Sequence, residues 1–484
     1  MGELKKKVIS GVLWTSIQQL GNQAVGFVIS IILARLLLPS EFGVLGMISI
    51  FMGMATVLVT AGLTTSIIRT EKPENDDYST VFIFNLVASI IIALILFLIA
   101  PLISNFYEQS ELKLITRLFC IMFILNALST VQLTKLRKEL NFKKETYASI
   151  VSTVFFGITA ITMAFLGYGV YSLVWGQIIS SLINTIMLWV QSDWRPSFDF
   201  NKTKFKYHFS FGSKIAISSI IDVIFTNLYI VIIGKFFSAT SLGFYTRANS
   251  VRLLPVTSLS GIINKVAYPL FAEIGNDNIR LKSVYRQIMK MLMFILTPTL
   301  TLMTVLAEPM FNFLFTEKWL PAVPYFQILC INGLLLPLHN YNLNILTVKG
   351  RSDLYLKLEI TKRVFMIIVI LISFQFGIIG LVWGLAFYSI IIYFINTYYS
   401  GKFIDYPAWE QLRDIMPIII ISAISGILVF FLDRQFYNLP DILRLIIGVS
   451  SGILIYLFLA KVFNFQSLTF FSENISKHLK RKSN

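Results

Sequence analysis

The chain has 484 residues, of which 56% are hydrophobic and 14% charged, with a formal net charge of +16. Water-soluble domains carry about 25% charged residues, so this composition and a mean hydropathy of +0.74 exclude an ordinary soluble enzyme or binding module. The two cysteines, Cys120 and Cys330, lie far apart in apolar runs and suit neither a disulfide framework nor a zinc site.

Apolar runs of membrane-spanning length recur along the whole chain. Fourteen spans are predicted, over about 9–36, 42–66, 79–104, 113–134, 148–167, 170–190, 212–236, 246–271, 286–307, 321–347, 356–375, 378–400, 414–432 and 441–462. The basic flank "MGELKKK" leads into a long apolar run with no small-residue cleavage site, so the first span is expected to be retained. That span carries "TSIQQLGNQ" at 15–23. Unpaired amides are costly in an apolar medium. On a helix Gln18, Gln19, Asn22 and Gln23 share a stripe with Gly11, Thr15, Gly26 and Ser30, which predicts a face turned to a cavity between lobes rather than to lipid.

Arg35 closes the span, where a cation suits a helix C-terminus, and Ser40 reads as the N-cap of the second helix. Arg117 is the best candidate cation of spans one to six. "GYG" at 167–169 and "FQFG" at 374–377 are expected to turn two long apolar stretches into hairpins. In span seven, Ser218, Ser219, Asp222 and Thr226 form a polar stripe, with Lys235 closing the helix. Span eight carries Arg247, Arg252 and Lys265, of which Arg247 and Lys265 share a stripe with Ser250, Thr257, Asn264 and Tyr268. Span ten holds "PLHNYNLN" at 337–344, which puts Asn340 and Asn344 on one face, suited to a sugar, and leaves His339 as a packing histidine.

Charge sets the orientation. "KLRKELNFKK" (135–144), "WRPSFDFNKTKFK" (194–206), "RLKSVYRQIMK" (280–290), "KGRSDLYLKLEITKR" (349–363) and "KHLKRK" (477–482) all follow even-numbered spans. They share a side with Lys5, Lys6 and Lys7. "SNFYEQSEL" (104–112) and "EPMFNFLFTEKW" (308–319), on the other side, are poor in Lys and Arg. Both termini are therefore expected in the cytoplasm. The positive charge is explained by topology and anionic lipid, without nucleic acid.

An internal repeat recurs at an offset of about 200 residues. "SIILARLLLPSEFGVLG" (30–46) aligns without gaps to "IVIIGKFFSATSLGFYT" (230–246), with Arg35 on Lys235 and Gly43 on Gly243; Gly11 has a near partner in Gly212. "GVYSLVWG" (169–176) resembles "GIIGLVWG" (377–384). Spans 1–6 and 7–12 thus read as two like-oriented copies, a parallel repeat about an axis along the membrane normal, with Asp222 matching Asn22. The expected architecture is an all-α polytopic membrane protein of about 14 helices. It comprises an N-lobe (1–195), a C-lobe (205–400), and a third part (401–484) with helices 13–14 and a basic tail.

"ARLLLPSEFGVLGM" and "SLGFYTRANSVRLLPVTSLSGIINKVAYPLFAEI" (241–274) resemble the Wzx-type polysaccharide flippases, near the colanic acid and lipopolysaccharide exporter branch of the multidrug/oligosaccharidyl-lipid/polysaccharide exporter superfamily. The resemblance implies export of an undecaprenyl-diphosphate-linked oligosaccharide from the inner to the outer leaflet of the cell inner membrane. It implies membrane lipids as partners and a polysaccharide polymerase and glycosyltransferases as neighbours; a monomer is expected. Such a cargo needs a wet cationic cavity. The residues expected to bind it are Gln18, Gln19, Asn22, Gln23, Arg117, Arg247, Asn264, Lys265, Asn340 and Asn344.

There is no Walker loop and no visible metal or nucleophile–base constellation, so a non-enzymatic secondary transporter or facilitator without cofactor is expected. Proton or Na⁺ coupling would use Asp222, with Lys265 as its partner. A cation-coupled multidrug exporter of the same superfamily should have an acidic cavity, yet the intramembrane cations here outnumber Asp222 and Glu359. A glycan polymerase or ligase should carry a large outward loop, and none is predicted.

Overall fold

A computed structural model describes residues 2–60, 62–465 and 468, without the side chains of 2–9, 12, 262, 264–266 and 268. The described residues form sixteen α-helices and one 3-10 turn, with no strand. The first nine helices are α1 (Gly2–Leu36), α2 (Pro39–Thr60), α3 (Leu63–Arg69), α4 (Asn75–Tyr107), α5 (Glu111–Lys138), α6 (Phe142–Phe165), α7 (Val170–Gln191), α8 (Lys202–Phe236) and α9 (Ala239–Glu273). Then come α10 (Asn278–Val305), α11 (Ala307–Phe315), the 3-10 turn Glu317–Ala322, α12 (Val323–Val348), α13 (Ser352–Phe374), α14 (Gly377–Ile404), α15 (Ala408–Gln435) and α16 (Asp441–Val462).

Twelve of these, among the described residues, are long and apolar enough to cross a membrane. The other two predicted spans, eight and eleven, coincide with α9 and α13. Many large apolar side chains stand exposed on the long helices, among them Leu98, Leu102, Phe387, Leu454 and Phe458. A water-soluble protein rarely exposes such contiguous faces, whereas lipid accepts them, and a helix satisfies its own backbone there.

The chain divides into two compact units, Met1–Thr246 and Arg247–Asn484. In the first, α1 packs on α6, α4 on α5, α6 on α7, and α8 on α2, α3 and α4. In the second, α12 packs on α14, α10 on α15, α13 on α14 and α15 on α16. The core of the second unit is aromatic: the Tyr285 ring lies 5.9 Å from Phe271, 6.3 Å from Tyr341 and 5.7 Å from Tyr406.

Three local expectations are corrected. Span two is not one helix: Gly62, at φ 67°, separates α2 from α3, and a Cβ there would lie 2.5 Å from the Gly212 carbonyl oxygen. Helix α2 starts at Pro39, before Ser40; the Leu38 N–H donates to Glu41 Oε2 at 2.6 Å, so Glu41 supplies the cap and Pro39 takes the first helical position. The stretch 308–319 is not an open loop but α11 and the 3-10 turn, burying Phe311, Phe315 and Trp319. The expected hairpin at 167–169 does form, with Gly167 at φ 82° and Gly169 at φ 54°.

The repeat has a direct structural counterpart. A Cβ on Gly43 would lie 1.8 Å from the Ala239 carbonyl oxygen, and one on Gly243 would lie 1.8 Å from that of Pro39. Gly43 pairs with Gly243, and Pro39 with Ala239, at the offset that aligned the two stretches. A contact in which each copy presents the same residues to the other is two-fold by construction. The starts of α2 and α9 therefore cross about a local two-fold axis.

Candidate functional site

The amide stripe of α1 divides between two environments. Asn22 faces α6: its Nδ2 donates to Ser149 Oγ at 2.7 Å, and Thr153 Oγ1 donates to its Oδ1 at 3.3 Å. Below it Gly11 sits against Phe142, and Thr146 donates to the Trp14 carbonyl at 3.1 Å. Small and hydroxyl residues let the two helices approach and bond across their contact. Gln18 and Gln19 are half-buried and have no hydrogen-bond partner among the described residues. Gln23 is half-buried and engaged, and Gly26 meets open space. Asp222 is exposed on α8, so the two matched positions, Asn22 and Asp222, stand in different surroundings.

The cations also separate. Arg117 lies 4.4 Å over the Phe97 ring, beside exposed Leu114 and Ile121. Arg247 is only 7% exposed, its guanidinium held 5.1 Å from Phe315 and 5.0 Å from Trp319; this clamp exists because α11 and the 3-10 turn fold back. Arg252 is buried too: it donates to Asn332 Oδ1, to Asn249 Oδ1 at 2.7 Å and to the Leu329 carbonyl at 3.4 Å. Arg252→Met is expected to lower stability by about 2–3 kcal/mol, because two amide acceptors lose a charged donor; thermal unfolding in detergent checks this. Lys235 pairs with Glu108 at 2.9 Å and holds that exposed carboxylate below its usual range. The side chains of Asn264 and Lys265 lie outside the described residues.

Asn340 and Asn344 come together as their spacing predicts. They line one cavity of about 870 Å³ with Leu343, Thr347, Gly350, Ser352 and Tyr355, between the end of α12 and the start of α13. Its polar groups are two amides, two hydroxyls and a phenol, all neutral and able to both donate and accept. His339, one residue away, turns inward and bonds Ser389 Oγ through Nε2 at 2.8 Å. Asn342 turns inward as well, bonding Gln411 by reciprocal contacts of 3.2 and 3.1 Å.

Two features escape the sequence reading. The first is a buried cluster in which His208 bonds Ser66 Oγ at 2.8 Å and Asp77 Oδ1 at 3.0 Å, while Lys204 reaches Asp77 at 3.2 Å. The second is a basic cavity on the adjacent face of α8, lined by Arg69, Lys206 and Lys214. The basic run at 194–206 signals both, but it also signals topology, and the latter meaning hides the former.

An all-helical polytopic membrane protein with a polar, uncharged cavity at the end of its tenth predicted span is the class these features define. Within it the chain belongs to the polysaccharide biosynthesis protein family, whose match spans residues 32–324. It is 28% identical to the teichuronic acid biosynthesis protein TuaB of Bacillus subtilis (strain 168), over 95% of this chain and 96% of that protein. It is 26% identical to the lipopolysaccharide biosynthesis protein WzxC of Escherichia coli (strain K12), over 80% of each. A solved structure of the lipid II flippase MurJ in an inward closed conformation shares the fold, with a TM-score of 0.76 and 15% identity over 93% of this chain and 98% of that one.

Proposed function

We propose that this protein moves an undecaprenyl-diphosphate-linked oligosaccharide from the inner to the outer leaflet of the cell membrane, for assembly of a surface polysaccharide. The cavity of Asn340 and Asn344 carries the reading: in a chain of this family, paired amides beside Thr347, Ser352 and Tyr355 offer the groups that bind sugar hydroxyls. The relatives named for teichuronic acid and lipopolysaccharide synthesis support a glycan cargo, and the lipid II flippase supports a lipid-linked one. The protein works as a transporter and not as an enzyme, by alternating access of the 1–195 and 205–400 repeat, with both termini in the cytoplasm. With no nucleotide site in the sequence, a proton or Na⁺ gradient drives transport, and Asp222, exposed on α8, is the coupling group.

The test is leaflet transfer of a lipid-linked oligosaccharide in membrane vesicles, read by a membrane-impermeant glycosidase. Wild-type protein should expose the glycan to the enzyme. The double variant Asn340→Ala/Asn344→Ala should slow transfer about tenfold, equivalent to ~1.4 kcal/mol. Asp222→Asn should remove the response to an imposed gradient. No transfer by the wild type would sink the reading.

A further inference from the structure

We infer that Arg69, Lys206 and Lys214 form a binding site for a lipid-borne phosphate headgroup; this rests on the proposed function only for naming the diphosphate as one source. Arg69 ends α3, and Lys206 and Lys214 lie on α8, lining a cavity of about 500 Å³ with Thr203, Tyr207, Ser210 and Phe211. The six α8 residues follow a helical face, at i, i+3, i+4, i+7, i+8 and i+11. Arg69 lies 4.5 Å over the Phe211 ring, between the two lysines along the helix. The three cations thus form a row with hydroxyls beside them, which suits a diphosphate or a phosphodiester with its glycerol.

What sets the site apart is missing neutralisation. Lys204, on the neighbouring face of α8, pairs with Glu74 at 3.1 Å and Asp77 at 3.2 Å. Arg69, Lys206 and Lys214 have no acidic partner among the described residues. Three like charges around one cavity repel, so an anion belongs there. The site is also held in shape. Lys138 donates to the Ile68 and Thr70 carbonyls on either side of Arg69, at 2.8 Å to the former. Ser66 bonds His208, and Gly62 meets Gly212, so α3 is fixed to α8.

Position argues for a lipid phosphate. Helix α8 has 35 residues, hence is about 52 Å long, against a hydrocarbon core of about 30 Å. With its Lys235 end at the outer boundary, its first dozen or so residues stand at headgroup level, on the side that charge assigns to the cytoplasm. That is where the diphosphate of a lipid-linked glycan, or the phosphate of a membrane phospholipid, lies before any transfer. Arginine adds planar bidentate recognition that lysine lacks.

The experiment titrates the full-length protein in detergent with farnesyl diphosphate, with farnesol as the uncharged control, and scores retained phosphatidylglycerol by native mass spectrometry. Arg69→Gln should weaken farnesyl diphosphate binding on the order of tenfold, and Lys206→Gln or Lys214→Gln about threefold each. The triple variant should fall to the farnesol level, and Lys206→Arg/Lys214→Arg should bind as the wild type does. Loss of phosphatidylglycerol alone in the triple variant would identify the source as membrane lipid; loss of farnesyl diphosphate would identify the carrier diphosphate. Wild-type retention of both probes in the triple variant overturns the site. Should the triple variant fold poorly, the three single variants, all at exposed positions, decide the same question. Failure here with normal glycan transfer leaves the transport reading standing, whereas loss of phosphate binding beside a wild type that transfers nothing does the reverse.

Discussion

Gly43→Ala and Gly243→Ala are each expected to destabilise the protein by about 3 kcal/mol or more, far beyond the ordinary effect of one added methyl. In both cases the new Cβ would meet a main-chain carbonyl oxygen at 1.8 Å, and a carbonyl in a helix cannot rotate away as a side chain can. The starts of α2 and α9 must then separate, stripping contacts from Gly46, Leu242 and Met47 around the crossing. Because the contact is reciprocal, the double variant should cost clearly less than the sum, since the first methyl has already parted the helices. Gly26→Ala is the control: nothing lies within 4 Å of its Cβ position, and alanine there should be neutral or stabilising by up to about 1 kcal/mol. Thermal unfolding in detergent measures all four. Melting of Gly43→Ala at the Gly26→Ala temperature would show that the crossing is loose.

The same residues show what a single sequence can carry. The offset that aligned 30–46 with 230–246 is legible because both copies keep small residues where backbones touch, and a backbone contact demands glycine whatever surrounds it. The recurrence of membrane-length helices is legible because lipid imposes length and apolarity on every crossing helix. Asn340 and Asn344 are legible because i and i+4 share a helix face whatever packs beside it. The environment of each polar group is not. Asn22 belongs to the same stripe as Gln18 and Gln19, yet it bonds Ser149 and Thr153, a pairing that depends on where α6 lies. Arg247 looks like a cavity cation until α11 and the 3-10 turn bring Phe315 and Trp319 against it. Helical periodicity gives a side chain's direction, and only tertiary packing decides what it meets there.

Asp77→Ala is expected to cost about 3 kcal/mol, because it removes a charged acceptor and leaves the buried His208 donor unsatisfied. The Asp77 side chain is 2% exposed and that of His208 is 0% exposed. The carboxylate accepts from the Glu74 N–H at 2.8 Å and from Lys204 at 3.2 Å, and lies 3.0 Å from His208 Nε2. A hydrogen on Nε2 lets His208 donate to Asp77 while Nδ1 accepts from the Ser66 hydroxyl, so one tautomer satisfies both bonds. Alanine strands the imidazole donor in a dry site and releases the lysine, and the linkage of α3, α4 and α8 loosens at the end that holds Arg69 and Lys206. Asp77→Asn keeps an acceptor for His208 and loses only the charge, so about half the penalty is expected. Asp77→Ala combined with His208→Leu should recover part of the loss, because an apolar pair leaves no buried donor behind. Asp76→Ala, at an exposed neighbouring position, should stay within about 0.5 kcal/mol of the wild type. Equal melting temperatures for Asp77→Ala and Asp76→Ala would mean that the cluster contributes nothing to holding the three helices together.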